Sequence, residues 1–158
     1  MTGASARAGC ADVVAEARSW IGTPYVHQAS CKGAGADCLG LVRGVWRAVV
    51  GPEPVKLPAY TPDWSEAARD EALLRGAGLY LDAVSDAQPG DVLLFRMRDG
   101  AVAKHLGILS VASDSPAFVH AYSGHAVVES PLSAPWQRRV VGTFRFPQAN
   151  PRDPQHKR

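Results

Sequence analysis

The chain has 158 residues, with 17 basic and 15 acidic side chains and a formal net charge of +2. That length fits one domain able to bury roughly two-thirds of its unfolded surface, so neither disulfide nor metal is needed for folding. The charge is too small to point to nucleic acid or an anionic membrane, and Cys10, Cys31 and Cys38, at irregular spacing, give neither a disulfide framework nor a zinc site.

Residues 1–9 have no apolar core of signal-peptide length. No apolar run reaches the roughly 18 residues of a membrane span. The expectation is synthesis and folding in the cytoplasm without a signal peptide. Residues 11–21 read as a helix, with Val13, Ala17, Trp20 and Ile21 on one face. Gly22 and Thr23-Pro24 stop it. Residues 25–36 hold two glycines and no helical period, so they read as a loop. A second helix starts at Asp37 or Cys38 and runs to about Val50, with Cys38, Val42, Val45, Trp46 and Val49 as its buried stripe. Gly51-Pro52 ends it.

Residues 52–61 read as an extended connector. Thr61-Pro62 has the form of a helix start, opening a third helix through Trp64 and Leu74 that ends near Gly76 or Gly78. The period then changes to two. Residues 87–91 form a turn, 92–97 a strand, and Asp99-Gly100 a hairpin signal. Residues 104–111, 118–122, 126–129 and 139–146 complete about five strands. Helices first and an antiparallel meander after make an α+β domain, with the helices packed on the sheet. It spans residues 1–147. Residues 148–158 are basic, proline-rich and without an apolar face, and read as a disordered tail.

The chemistry gathers at Gly35-Ala36-Asp37-Cys38-Leu39-Gly40. A helix N-terminus offers unpaired N–H groups and the positive end of the macrodipole, which favours a thiolate at Cys38 and lowers its pKa. A free cysteine is also a small buried hydrophobe, so the histidines matter. His105 and Gly107 share one strand face, as do Phe118, His120 and Tyr122 on the next. A hairpin at 113–116 makes the histidines neighbours, although direct pairing of 105 with 120 places the turn about two residues early. Glycine at 107 marks a close approach by another group. A third triad member packs behind the base, which favours strand residue His120 over His125 in its turn. The loop that Tyr25 opens leads straight to Cys38, so its phenol is placed to donate to an oxyanion. Asp37 is either a helix cap or a carboxylate for a substrate ammonium. No metal or organic cofactor is expected: there is no ligand spacing, P-loop or dinucleotide fingerprint.

Five segments occur in a recognisable order: Trp20-Ile21-Gly22-Thr23-Pro24-Tyr25, Gly35 to Val42, Gln88-Pro89-Gly90-Asp91-Val92-Leu93-Leu94-Phe95, His105-Leu106-Gly107-Ile108, and Phe118-Val119-His120-Ala121-Tyr122. With them the chain resembles the NlpC/P60 cysteine peptidases over residues 10–147, most closely the phage and gene-transfer-agent branch. The resemblance implies a papain-like α+β fold. It implies Cys38 as nucleophile, His105 as base, His120 as the residue orienting the base, and Tyr25 as assistant to the oxyanion hole. Asp37 corresponds to an acidic residue shaping the site for the stem peptide's free amine. Leu39 stands where many relatives have serine. The family typically cleaves the bond between D-γ-glutamate and a diamino acid in peptidoglycan stem peptides. The implied partners are those stem peptides and the proteins of a phage-like tail, which would carry the domain to the cell wall. Two other readings stay open at this level: a thiol amidase or acyltransferase on the same triad, and a catalytically silent tail component.

Overall fold

The computed structural model describes residues 2–54, 72–97 and 103–147. The alanine-rich first segment forms α1 (Thr2–Arg18), which starts well before the expected residue 11 and stops short of 21. Alanine has the highest helix propensity, so an apolar stripe was not needed to extend it. The chain turns at residues 19–22, with Gly22 at φ +94°. Val13, Ala17 and Trp20 are buried as expected, but Ile21 projects outward from the turn.

The segment expected to be a loop contains a small hairpin, β1 (Ser30–Cys31) with β2 (Gly35–Ala36). The second helix, α2 (Cys38–Val49), begins where the sequence placed it. Leu41, Val42 and Val45 are buried on it, with Trp46 and Val49 half-buried at the margin. A side chain at Gly44 would run into the Trp20 indole, so glycine here sets how closely the first turn packs on α2. The helix closes with Val50 and Gly51 N–H groups both donating to the Trp46 carbonyl, and Gly51 takes φ +145°. The expected connector falls largely outside the described residues, as do the Thr61-Pro62 start, the Asp99-Gly100 turn and the 148–158 tail. The next described helix, α3 (Ala72–Tyr80), runs through Gly76 and Gly78 instead of ending there. Burial of Ala77 overrides the weak propensity of its glycines.

The sheet has six antiparallel strands in the order β3-β8-β4-β5-β6-β7. They are β3 (Asp82–Ala83), β4 (Val92–Arg96), β5 (Ala103–Val111), β6 (Ala117–Ala121), β7 (Val127–Pro131) and β8 (Val140–Arg145). Five match the expected ones. The sixth, β3, is two residues pairing with the end of β8. The fold is the expected α+β arrangement. One sheet face, through Val92, Leu94, Leu106, Ile108 and Val119, packs with Val13, Ala17, Leu41 and Val45 of the helices. The other carries Leu93, Phe95, Leu109 and Phe118 and is covered by Leu132 and Trp136. Trp136 lies on α4 (Ala134–Gln137), a one-turn helix that the sequence did not announce.

Candidate active site

Cys38 is the first residue of α2, and Asp37 is its N-cap in extended conformation. The cap carboxylate accepts from Gly40 N at 2.7 Å and from Gln28 N at 2.7 Å. Asp37 is buried, so these bonds are what make its burial tolerable. Gly40 is needed at this junction, because a Cβ there would collide with the Ala29 carbonyl oxygen. Ser30 Oγ also donates to the Gly40 carbonyl at 2.6 Å. The loop is thus clamped to the first turn of the helix that carries Cys38.

Tyr25 reaches the same place by a different route. Gly22 N donates to Val127 O at 2.9 Å and Val127 N to Thr23 O at 2.8 Å, which ties this segment to the start of β7. Ala36 N donates to Pro24 O and Val26 N to Ala36 O, bridging Tyr25 to Ala36. The phenol therefore lies beside Asp37 and Cys38. Burial, and the negative charges those two groups would carry, push it up to about 12. It stays protonated across the physiological range and remains a donor.

The Cys38 thiol sits at the start of β5 and donates to the Lys104 carbonyl at 3.8 Å. Among the described residues it makes no hydrogen bond to an imidazole. Burial, then the Asp37 charge, push the thiol up to about 12, against the backbone N–H groups of Leu106, Leu39 and Cys38 itself. The expected lowering of its pKa by the helix N-terminus is therefore overturned. The N–H groups are there, but desolvation of the sulfur outweighs them.

His105 and His120 meet as the sequence anticipated, and they do so by a hydrogen bond. The Ile108↔Val119 register, continued by one residue, sets Gly107 opposite His120 and leaves His105 one diagonal step away. The separation of His105 Nε2 from His120 Nδ1 is 2.9 Å. Gly107 is the close approach its type announced: a Cβ there would lie 2.6 Å from the Phe118 ring and 3.4 Å from His120 Cβ. That ring lies against His120 at a tilt of 31°, with centroids 4.1 Å apart. Trp136 closes over both imidazoles, at 5.7 Å from His105 and 5.2 Å from His120. His125 stacks on Tyr122 at 5.3 Å and is exposed, as its turn position implied.

Burial, then the neighbouring His120, push His105 down to about 3, and burial, then His125, push His120 down to about 4. Unfolded histidines protonate below about pH 6.5. Between pH 6.5 and 4 the native state therefore binds fewer protons than the unfolded one, and stability falls as the pH drops through that window. The urea midpoint is expected to fall as the pH drops through that window. The fall should shrink when both histidines are replaced by glutamine. An equal fall in that double variant would assign the effect to other groups.

Two residues at the site were missed by sequence reasoning. Ser130 Oγ lies 3.0 Å from His120 Nε2, and Trp136 covers the pair. Neither carries a motif, and both depend on strand register. Among the described residues no group of side chains could hold a metal ion.

A model of the NlpC/P60 family matches residues 22–145. The gamma-DL-glutamyl hydrolase of Bacillus subtilis (strain 168) is 30% identical over 146 residues, 88% of this chain and 31% of that protein. The chain thus spans about a third of the length of that relative. The NlpC/p60 domain of the peptidoglycan hydrolase SagA is 25% identical at a TM-score of 0.54, covering 87% of this chain and 98% of that domain. An NLP/P60 family protein of Staphylococcus aureus subsp. aureus Mu50, similar to lipoprotein, shares the fold at a TM-score of 0.56, with 23% identity over 87% of this chain and 41% of that one. With a family match running from the turn after α1 to the end of β8, and the fold repeated in solved relatives, the chain belongs to the NlpC/P60 family.

Proposed function

We propose that the protein is a cysteine peptidase that hydrolyses peptidoglycan stem peptides at the bond between D-γ-glutamate and the diamino acid. The observation that carries this reading is the His105–His120 hydrogen bond beside a cysteine at a capped helix start. The SagA domain supports the wall substrate by its name, and the Bacillus subtilis relative supports a γ-glutamyl bond by its own.

Cys38 and His105 rest neutral, because burial disfavours charge on both. His105 Nε2 is engaged with His120, so Nδ1 is the nitrogen that takes the thiol proton. The sulfur attacks the carbonyl carbon as a C–S bond forms. The Cys38 N–H, in the first turn and without an intrahelical acceptor, holds the oxyanion together with the Tyr25 hydroxyl. The C–N bond breaks as His105 returns the proton to the leaving amine. Water then attacks the thioester carbon with its proton passing to His105, a C–O bond forms as the C–S bond breaks, and His105 returns the proton to the departing sulfur, freeing the acid. The buried Asp37 oxygens hold the helix cap, and a role for its charge toward the substrate amine rests on the sequence resemblance. A phage-like tail as the carrier rests on the sequence resemblance to that branch, and detection of the chain in purified particles tests it.

Wild type and Cys38→Ala, incubated with purified peptidoglycan and read by mass spectrometry, test the reaction. Stem-peptide fragments with a new free amine should appear with wild type alone, and their masses name the bond. A new amide or ester in place of the free acid would mean an acyltransferase. An intact wall with folded wild type would leave a non-catalytic component.

A further inference from the structure

His120 does not end the chain of contacts behind the base. The β6–β7 register pairs His120 with Val128 and Phe118 with Ser130, so Ser130 lies one diagonal step from His120. His105, His120 and Ser130 thus run in a line across three neighbouring strands, joined at 2.9 and 3.0 Å. His120 is only 2% exposed, lying between the Phe118 and Trp136 rings. Ser130 Oγ is the hydrogen-bond partner of its Nε2.

We infer that Ser130 is a positioning residue for the base, accepting the His120 Nε2–H and so holding the tautomer that leaves His105 Nδ1 bare for Cys38. This rests on the catalytic reading of Cys38 and His105. A neutral imidazole has one N–H and one bare nitrogen. For His105 to take a proton on Nδ1, its N–H must be on Nε2, donating to His120 Nδ1. His120 Nδ1 is then bare, and its own N–H must be on Nε2, donating to Ser130. The opposite arrangement has Ser130 donating to His120 Nε2 and puts the His105 proton on Nδ1, where it blocks the reaction. A hydroxyl can serve either arrangement, but only the first matches the catalytic cycle. When His105 becomes cationic it donates more strongly to His120, and His120 in turn to Ser130, so the Ser130 acceptor gains strength with the transition state. Without that oxygen, the productive tautomer leaves a buried N–H without a partner.

The test compares wild type, Ser130→Ala and Ser130→Thr, each as the full chain. Nitrogen-15 spectra of the histidine rings at neutral pH read the tautomer directly. Wild type and Ser130→Thr should show His120 as the Nε2–H form, and Ser130→Ala should shift it toward Nδ1–H. On a soluble stem-peptide substrate, Ser130→Ala should lose about 10- to 100-fold in kcat with KM changed by less than about twofold. Ser130→Thr should recover most of that loss. An Nδ1–H form of His120 in wild type overturns the inference. So does a fall in kcat with the tautomer unmoved, or a moved tautomer with kcat intact. A wild type that cleaves no stem peptide counts against the catalytic reading itself. The ring spectra would then still decide whether Ser130 sets the His120 tautomer.

Discussion

Replacing His105 by glutamine is expected to lower kcat by about four orders of magnitude, with the fold retained. The size of the effect follows from the state of the thiol. A cysteine with a low pKa would keep part of its reactivity as a free thiolate after loss of the base. Here burial pushes Cys38 up to about 12, so at neutral pH almost no thiolate exists without a proton acceptor. His105 is that acceptor in the proposed mechanism, so losing it should cost nearly as much as losing Cys38. The double variant Cys38→Ala/His105→Gln should be no worse than either alone, because the two act as one unit. Steady-state kinetics on a soluble stem peptide read the loss, and thermal unfolding checks the fold. The same chemistry sets an order of alkylation: at pH 7, iodoacetamide should label exposed Cys31 well before Cys38. A glutamine variant within tenfold of wild type would remove His105 from the mechanism.

Much of this site was legible because its rules are local. Asp37 before an apolar period announced a cap, and the cap is there at 2.7 Å to Gly40 N. Alternation put His105 with Gly107, and Phe118 with His120, on shared faces. Glycine at 107 announced a close approach, which is the Phe118 ring. The parts that escaped depend on more than one element. Ser130 meets His120 only once the register of β6 on β7 is known. Trp136 covers the histidines from a four-residue helix too short to have a period. The thiol departs from expectation for a related reason. The helix N-terminus can be read from sequence, whereas the desolvation that outweighs it comes from how the loop and β5 close around the sulfur. The early start of α1 shows the opposite failure, since propensity there acted without a hydrophobic pattern to mark it.

Arg145→Leu is expected to cost about 3–5 kcal/mol of stability, because it strands a buried carboxylate. Asp91 is 0% exposed. Its carboxylate accepts Arg145 Nε at 2.8 Å and Nη2 at 2.9 Å, and also Gln88 N at 2.8 Å. The main chain is committed as well: Gly90 N donates to Leu109 O and Leu109 N to Asp91 O, with Gly90 at φ +96°. The Gln-Pro-Gly-Asp segment is therefore a structural device, joining the turn before β4 to both β5 and β8. Arg145 is about one-third exposed, so its own charge can return to water, whereas Asp91 cannot follow. The two single variants should differ for that reason. Asp91→Asn keeps an acceptor for Gln88 N and releases a solvated guanidinium, so it should cost less than Arg145→Leu. Combining them removes the stranded charge and should recover part of the Arg145→Leu loss. Urea unfolding of the four proteins closes the cycle. The kinetic constants of the folded variants should stay near wild type, because Asp91 lies at the end of β4 away from Phe95, the residue paired with His105. Equal costs for the two single variants would mean that the buried carboxylate is not what the pair protects.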